Sequence, residues 1–396
     1  IVCWAMGLTQ HRNSVAIIQE IANLLLLGGH IGRPGAGVCP VRGHSNVQGD
    51  RTVGINHNPS AKFLSDLHDS TGIAIPTKPG VDSVRAVKSM RGGTAKVFLS
   101  MGGNFVSAMS DTKATASALS NCSITAQIST KPNRSHLVTG RTALILPCLG
   151  RSEKDHTSVG EQFVSVENSM GIVHSSRGSS KPASGMLRSE PSIVSGIAGA
   201  LDTRIGRSGI AWQDLAEDYD KVRDMIEASI PGFEGYNERV RLDGGFYLPN
   251  PPRDSRTFPT ESGYANFRVH DLSGASAGSG QYLMMTIRSH DQYNTTIYGL
   301  DDRYRGINKG RRVVLMNQSD MDENDWLEGD LVDLTSHFEG TELHAREWYI
   351  VPYEIPKGNI ATYFPEANVL VPLDSVAEGS NTPTSKSVVV SIRATD

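Results

Sequence analysis

From Ser14 to Leu27 apolar residues recur at helical spacing (Val15, Ile18, Ile21, Ala22, Leu25), with Asn13 or Ser14 as N-cap and Gly28-Gly29 as the stop. A strand-like opening, Ile1–Ala5, precedes this helix. Asp82 is placed to cap a second helix running to Met90 and ending at Gly92-Gly93. Apolar runs at Lys96–Met101, Ser123–Ile128 and Thr142–Leu146 read as strands, with a helix through Thr112–Leu119 between the first two. Strand–helix–strand order predicts one open α/β sheet, parallel, with ligands at the carboxyl ends of its strands.

The pattern then loosens. Phe163–Glu167 is a candidate strand, Pro191–Leu201 a helix, and Trp212–Ile230 one longer amphipathic helix ended by Pro231-Gly232. Leu248–Pro259 carries four prolines and predicts an extended crossing segment. Leu272–Gly280, rich in Ser, Gly and Ala, is the best linker candidate. Beyond it, Tyr282–Arg288, Arg312–Asn317, Asp330–Ser336, Glu342–Val351, Asn359–Tyr363 and Ser387–Ile392 are short β-branched runs divided by turn residues. That spacing predicts a compact β-barrel. The expected organisation is an α/β parallel-sheet domain over 1–205, a helical and extended connector over 206–275, and a barrel over 276–396.

Composition narrows the class. At 396 residues with 38% hydrophobic and 20% charged content, the chain can bury two or three cores. A net charge of -4 argues against nucleic-acid binding. No apolar run approaches the roughly 20 residues that span a bilayer. Cys3, Cys39, Cys122 and Cys148 lie far apart in sequence without metal-ligand spacing. They read as buried thiols in a reducing, cytoplasmic compartment. The opening lacks an initiator Met and reads as a buried strand, which predicts an internal piece of a longer protein.

The candidate chemistry sits on loops. After the first helix come Gly29, Gly32, Gly35, Gly37 and Gly43, interleaved with Arg42, His44, Asn46 and Gln48 and closed by Gly49. Glycines let backbone N–H groups approach a ligand closely, so this run suits a large anionic cofactor; the bland reading is a solvated loop. Gly102-Gly103-Asn104 ends a strand where a phosphate or ribose would sit, or forms a tight turn, and is not the G-x-G-x-x-G fingerprint. Gln127 closes the next strand as a ligand contact or a strand cap. Arg288, ahead of the polar run Ser289–Asn294, either clamps a phosphate or opens a hairpin loop. The Glu323–Asp325 cluster reads as turn chemistry, and the histidines lack ligand spacing. No nucleophile or metal ligand emerges, which puts any redox or transfer chemistry on a cofactor or on polypeptide outside this chain.

Several of these stretches together resemble a known family. Trp4–Gln10, Gly32–Val38, Val41–Gly49 and Met101–Asn104 are similar to motifs of the molybdopterin oxidoreductases, and within them to formate dehydrogenase H and the YdeP-like oxidoreductases. The similarity continues through Leu146-Pro147, Thr260–Phe267, Thr286–Arg288 and Ala367–Leu370. The resemblance implies two molybdopterin guanine dinucleotides around one molybdenum or tungsten, with a [4Fe–4S] cluster and the metal's protein ligand both upstream of this chain. It also implies a double-psi β-barrel at the carboxyl end. By motif position Arg42, Gly43, Asn46, Gln48, Gly49, Gly102, Gly103, Asn104 and Gln127 would hold cofactor from the sheet. Arg288, Asn368 and Lys386 would do so from the barrel. Partners would be a small-molecule substrate, an electron acceptor and the upstream domains of the same protein, and the piece alone would be inactive. Two departures stand out. Thr142-Ala143 replaces the family's Ala-Asp pair, and Ser289 stands where formate dehydrogenases carry Glu. A non-catalytic protein keeping the fold is the alternative these departures suggest; a nicotinamide dehydrogenase lacks its fingerprint.

Overall fold

The helix expected after the opening strand forms over Ser14–Leu27, burying Leu25 while Leu24 and Leu27 stay exposed. The structure, a computed structural model, describes every residue but Ser45, Arg207, Leu272, Ser273, Thr296 and Asp396, and the side chain of Ile205. Ser45 of the polar loop and the start of the expected linker therefore lie outside the described residues. Strands β1 (Val2–Trp4) and β2 (Val38–Pro40) flank the helix and pair in parallel, with Cys3 opposite Cys39. Strands β3 (Val97–Met101), β4 (Ile124–Ser129) and β5 (Thr142–Pro147) form a second parallel sheet with β4 in the middle.

The single sheet expected over residues 1–150 is thus two sheets. Helices over Val47–Thr52 and Ala61–Thr71, neither legible beforehand, fill the chain between them. In β4, residues Thr125 to Ile128 are all buried, as a strand covered on both faces requires. Helices Ser83–Arg91 and Thr112–Ser120 bury Val84, Val87, Met90, Ala118 and Leu119 in one core. Asp82 caps the first of these, its carboxylate accepting from the Arg85 N–H at 2.9 Å.

The middle of the chain departs from expectation in two places. The long helix read over Trp212–Ile230 is two helices, Trp212–Glu217 and Tyr219–Ser229. The break is at Asp218, which leaves helical geometry so that its side chain accepts from the Asp220 N–H at 3.0 Å. The proline-rich crossing contains a short helix, Pro251–Ser255, with Asn250 capping it from 3.1 Å. Proline's fixed φ suits the first helical positions, so the prolines start a helix there rather than forbid one. A hairpin of β6 (Asp155–Thr157) and β7 (Gly160–Gln162) leads to β8 (Val164–Glu167), β9 (Ile172–Ser176) and β10 (Phe246–Tyr247), an antiparallel sheet in the order β10-β9-β8. Phe163, Phe233, Tyr236 and Phe246 pack over it.

The last six strands close a barrel. These are β11 (Gln281–Ile287), β12 (Val313–Met316), β13 (Leu331–Phe338), β14 (Thr341–Pro352), β15 (Asn359–Tyr363) and β16 (Val388–Ala394), in the order β11-β15-β12-β14-β13-β16. The pairs β11–β15 and β12–β14 are parallel, the others antiparallel. Met284, Met316, Leu334, Trp348 and Ile360 fill the interior. Full burial of each such side chain is worth about 1.5–3 kcal/mol. Between Val371 and Ser387 the chain leaves the barrel and lies on the sheet lobe. Leu373 joins the core of the Ser83 and Thr112 helices, the Asp111 N–H donates to the Val371 carbonyl at 2.9 Å, and Lys88 pairs with Asp374.

The cysteines correct a second expectation. Cys122 and Cys148 are buried, but Cys3 is exposed and Cys39 half-buried, and the two are neighbours across β1–β2. Sequence distance concealed the pair because a parallel crossover separates them. Among the described residues no helix is long and apolar enough to cross a membrane.

Candidate cofactor site

Three clusters take up the residues singled out by sequence. The first is the polar loop after β2. The Arg42 guanidinium is exposed and donates to the Gln48 amide oxygen at 2.9 Å. Asn46 accepts from the Glu167 N–H of β8 at 3.1 Å and donates to Asp50 at 3.2 Å. A Cβ on Gly49 would stand 3.3 Å from the Glu167 nitrogen and 2.5 Å from the Asn46 oxygen, so this glycine permits the helix Val47–Thr52 to dock on β8. Asn46 and Gly49 therefore face protein, and they line a cavity of about 180 Å³ with Asp50, Phe163, Glu167 and Tyr236. Burial pushes the Glu167 carboxyl up, and one of its oxygens has no hydrogen-bond partner.

The second cluster lies at the carboxyl ends of β3 and β4. Gly102 and Gly103 adopt φ of 66° and 73°, left-handed values that glycine takes without strain, and the space over both is open. The Gly102 N–H donates to the Ile128 carbonyl at 2.8 Å, tying the turn to β4. Asn104 and Gln127 come together, but on protein. The Ser135 hydroxyl donates to Asn104 at 3.0 Å, and the Gln127 amide donates to the Ser135 carbonyl at 2.9 Å. Both side chains are buried. Asn368 is likewise turned inward and donates to the carbonyls of Ser107 at 2.7 Å and Ala108 at 3.1 Å. It fastens the barrel to the turn that follows Gly102–Asn104, across 260 residues or more.

The third cluster lies at the mouth of the barrel. Arg288 follows β11, lies 4.2 Å over the Phe364 ring and reaches the Met6 sulfur at 3.6 Å. Burial pushes its guanidinium down from the ordinary range. Lys386 donates to the Thr286 carbonyl, and its backbone N–H donates to the Gln10 carbonyl at 3.1 Å. Burial first, and the Arg288 charge second, push its ammonium down to about 8. Among the described residues neither cation has a carboxylate within 4 Å. The first cluster touches this mouth through Tyr293, whose hydroxyl donates to the Gly43 carbonyl at 3.5 Å and whose ring lies 5.4 Å from that of His44.

Sequence reasoning missed the residues that shape the mouth. Arg311 is buried between Tyr298 and Tyr363, and it donates to the Ser289 hydroxyl at 3.0 Å, Gln292 at 2.9 Å, the Phe364 carbonyl at 2.8 Å and Glu366 at 3.1 Å. Asp302 accepts from the Tyr363 hydroxyl at 2.9 Å, Arg305 at 2.6 Å and His290 at 3.1 Å. No local spacing signals either. Among the described residues no group of three His, Cys, Asp or Glu side chains is placed to hold a metal ion.

Comparison with known proteins places the chain among relatives. Residues 282–389 match the family model described as Molydopterin dinucleotide binding domain. An uncharacterized oxidoreductase of Mycobacterium tuberculosis is 51% identical over 401 residues, taking in 100% of this chain and 51% of that protein. Protein YdeP of Escherichia coli is 44% identical over 400 residues, 99% of this chain and 52% of its own. The chain thus spans about half the length of the curated relatives it matches. The solved structure of acetylene hydratase from Pelobacter acetylenicus shares the fold, with a TM-score of 0.50 over 88% of this chain and 52% of that one, at 10% identity.

Proposed function

The chain belongs to the molybdopterin oxidoreductase family, and on that premise we propose that it grips a molybdopterin guanine dinucleotide between its sheet lobe and its barrel. The observation that carries this reading is the pair Arg288 and Lys386, two partly buried cations at the barrel mouth with no acidic partner among the described residues. Burying like charges side by side is unfavourable unless an anion joins them. A phosphate or pyrophosphate of the dinucleotide answers that need, and Arg288 presents a planar fork suited to it. The open backbone at Gly102-Gly103 gives the sheet lobe an approach of the same kind.

The fit is uneven, which sorts the sequence-derived residues by role. Arg288, Lys386, Arg42, Gly43, Gly102 and Gly103 remain as contacts. Asn46, Gly49, Asn104, Gln127 and Asn368 hold the walls of the site in place by bonding or packing against the protein itself. Gln48 orients Arg42.

When bound, the group supplies two-electron redox chemistry at its metal, molybdenum or tungsten. The residues of this chain bind and orient it; a second dinucleotide, a [4Fe–4S] cluster, the metal's protein ligand, the substrate and the electron acceptor belong to the proposal for the whole protein. A small substrate of the formate class fits the family resemblance, with Ser289 leaving the carboxylate of formate dehydrogenases unreplaced. The barrel's two parallel pairs within an otherwise antiparallel ring support the double-psi reading. The alternative of a non-catalytic cofactor-binding protein is the less favoured reading, because a relative matching the whole chain carries an oxidoreductase name.

Metal and pterin analysis of the purified whole protein tests the proposal. We expect molybdenum or tungsten together with pterin, and loss of the pterin in an Arg288→Ala, Lys386→Ala double variant that keeps its fold. A folded protein from cells replete in cofactor, carrying neither metal nor pterin, overturns it.

A further inference from the structure

We propose that Cys3 and Cys39 form a reversible intrachain disulfide that staples β1 to β2 beneath the candidate site. The two are direct register partners on adjacent parallel strands. Strands in a sheet lie roughly 4.7–4.9 Å apart, and a disulfide needs its Cα atoms about 4.4–6.8 Å apart. Because side chains alternate along a strand, register partners leave the sheet on the same face. The proximity of the thiols shows in Cys39, which is pushed up by its interaction with the Cys3 thiol first and then by burial and the Cys3 charge, so the exchange needs mildly alkaline pH. In this chain Cys3 is exposed, so a small oxidant reaches the pair. Cys122 and Cys148 are buried, which keeps a small oxidant from them.

The oxidant is a low-molecular-weight disulfide. The Cys3 thiolate attacks one of its sulfurs, the S–S bond breaks, and one small thiol leaves. The Cys39 thiolate then attacks the Cys3 sulfur of the mixed disulfide, and the second small thiol leaves. Two protein thiols are oxidised, one small disulfide is reduced, and the two protons pass to the released thiols.

The link bears on the site because both strands run into it. β1 leads to Met6 and Gln10, the neighbours of Arg288 and Lys386, while β2 leads to Arg42 and Gly43. The staple therefore fixes the spacing between the loops that approach the barrel mouth. This inference does not depend on what occupies that mouth.

The test treats the whole protein with oxidised glutathione at mildly alkaline pH and maps its peptides without reduction. The expected result is a cross-link joining the Cys3 and Cys39 peptides, loss of two hydrogens from the intact mass, and reversal by dithiothreitol. Cys3→Ser and Cys39→Ser each abolish the link, whereas Cys122→Ser leaves it. Exchange of the Val2, Cys3, Trp4, Val38 and Cys39 amides should slow by about tenfold or more on oxidation, as expected for a staple closing a long loop. A stable glutathione adduct on Cys3 that never resolves, unreacted thiols at both positions, or a cross-link to Cys122 or Cys148 overturns the proposal.

Discussion

Replacing Lys386 by Met should stabilise the ligand-free chain at neutral pH while destroying its response to anions. The ammonium is pushed from an ordinary value of 10.5 to about 8, by burial and then by Arg288. At 1.36 kcal/mol for each pKa unit, that gap corresponds to about 3 kcal/mol of unfavourable charge in the folded state. The sign follows from proton counts. Between pH 8 and 10.5 the unfolded chain holds the proton and the folded chain has released it, so stability rises with pH across that window. Below pH 8 both states are protonated and the full penalty is present. Met removes it but also loses the charge-assisted bond to the Thr286 carbonyl, worth about 1.5–3 kcal/mol. The expected net gain is therefore up to about 1.5 kcal/mol at pH 7, shrinking at pH 9.5. Urea unfolding followed by tryptophan fluorescence, to which Trp348 in the barrel core contributes, measures it. Inorganic pyrophosphate should raise the midpoint of the parent at pH 7 and leave the variant unmoved. A variant less stable than the parent at pH 7, or equal protection of both by pyrophosphate, refutes the reasoning.

Three further outcomes are expected. Asn368→Ala strands two buried carbonyls at the junction of barrel and sheet lobe, and should cost about 2–4 kcal/mol in urea unfolding. Gly49→Ala pushes a methyl against Asn46 and the Glu167 backbone, and should destabilise by about 1–3 kcal/mol, seen first as faster amide exchange in Val47–Thr52 and β8. Burial pushes the Asp302 carboxyl up, but hydrogen bonds from Tyr363, Arg305 and His290 outweigh it and hold it below the usual range. Its contribution is therefore complete above the ordinary carboxylate pKa and is lost as pH falls through the lower folded value. Asp302→Asn should cost about 3–5 kcal/mol at pH 7 and flatten the acid limb of an unfolding profile.

What the sequence revealed was whatever is written locally. The helices Ser14–Leu27 and Thr112–Ser120, the cap at Asp82 and all six barrel strands follow from periodicity and capping side chains, within a residue or two at their ends. Pairing across distance was not legible. Nothing near Cys3 announces Cys39, and nothing near Gly102 announces that Asn368 will fasten the next turn. The same limit governed the site. Side-chain type marked Asn104 and Gln127 as polar groups at strand ends, but a polar strand end satisfies either a ligand or the protein, and here Ser135 claims both. Arg288 and Lys386 are informative for the opposite reason, since only the folded chain shows that two cations lack a carboxylate partner among the described residues. Arg311 and Asp302 belong to no motif and work through partners as far as 61 residues away.

The segment that leaves the barrel after Val371 also limits how this architecture can be recombined. Leu373 completes the core of two helices more than two hundred and fifty positions earlier in the chain, and the backbone N–H groups of Glu378 and Lys386 bond to the carbonyls of Arg12 and Gln10. A chimera cut just ahead of β11 keeps all six barrel strands yet matches one parent's excursion to the other parent's helices. The two lobes are not interchangeable cassettes, and a grafted barrel is accommodated only when the surface receiving Val371–Ser387 travels with it.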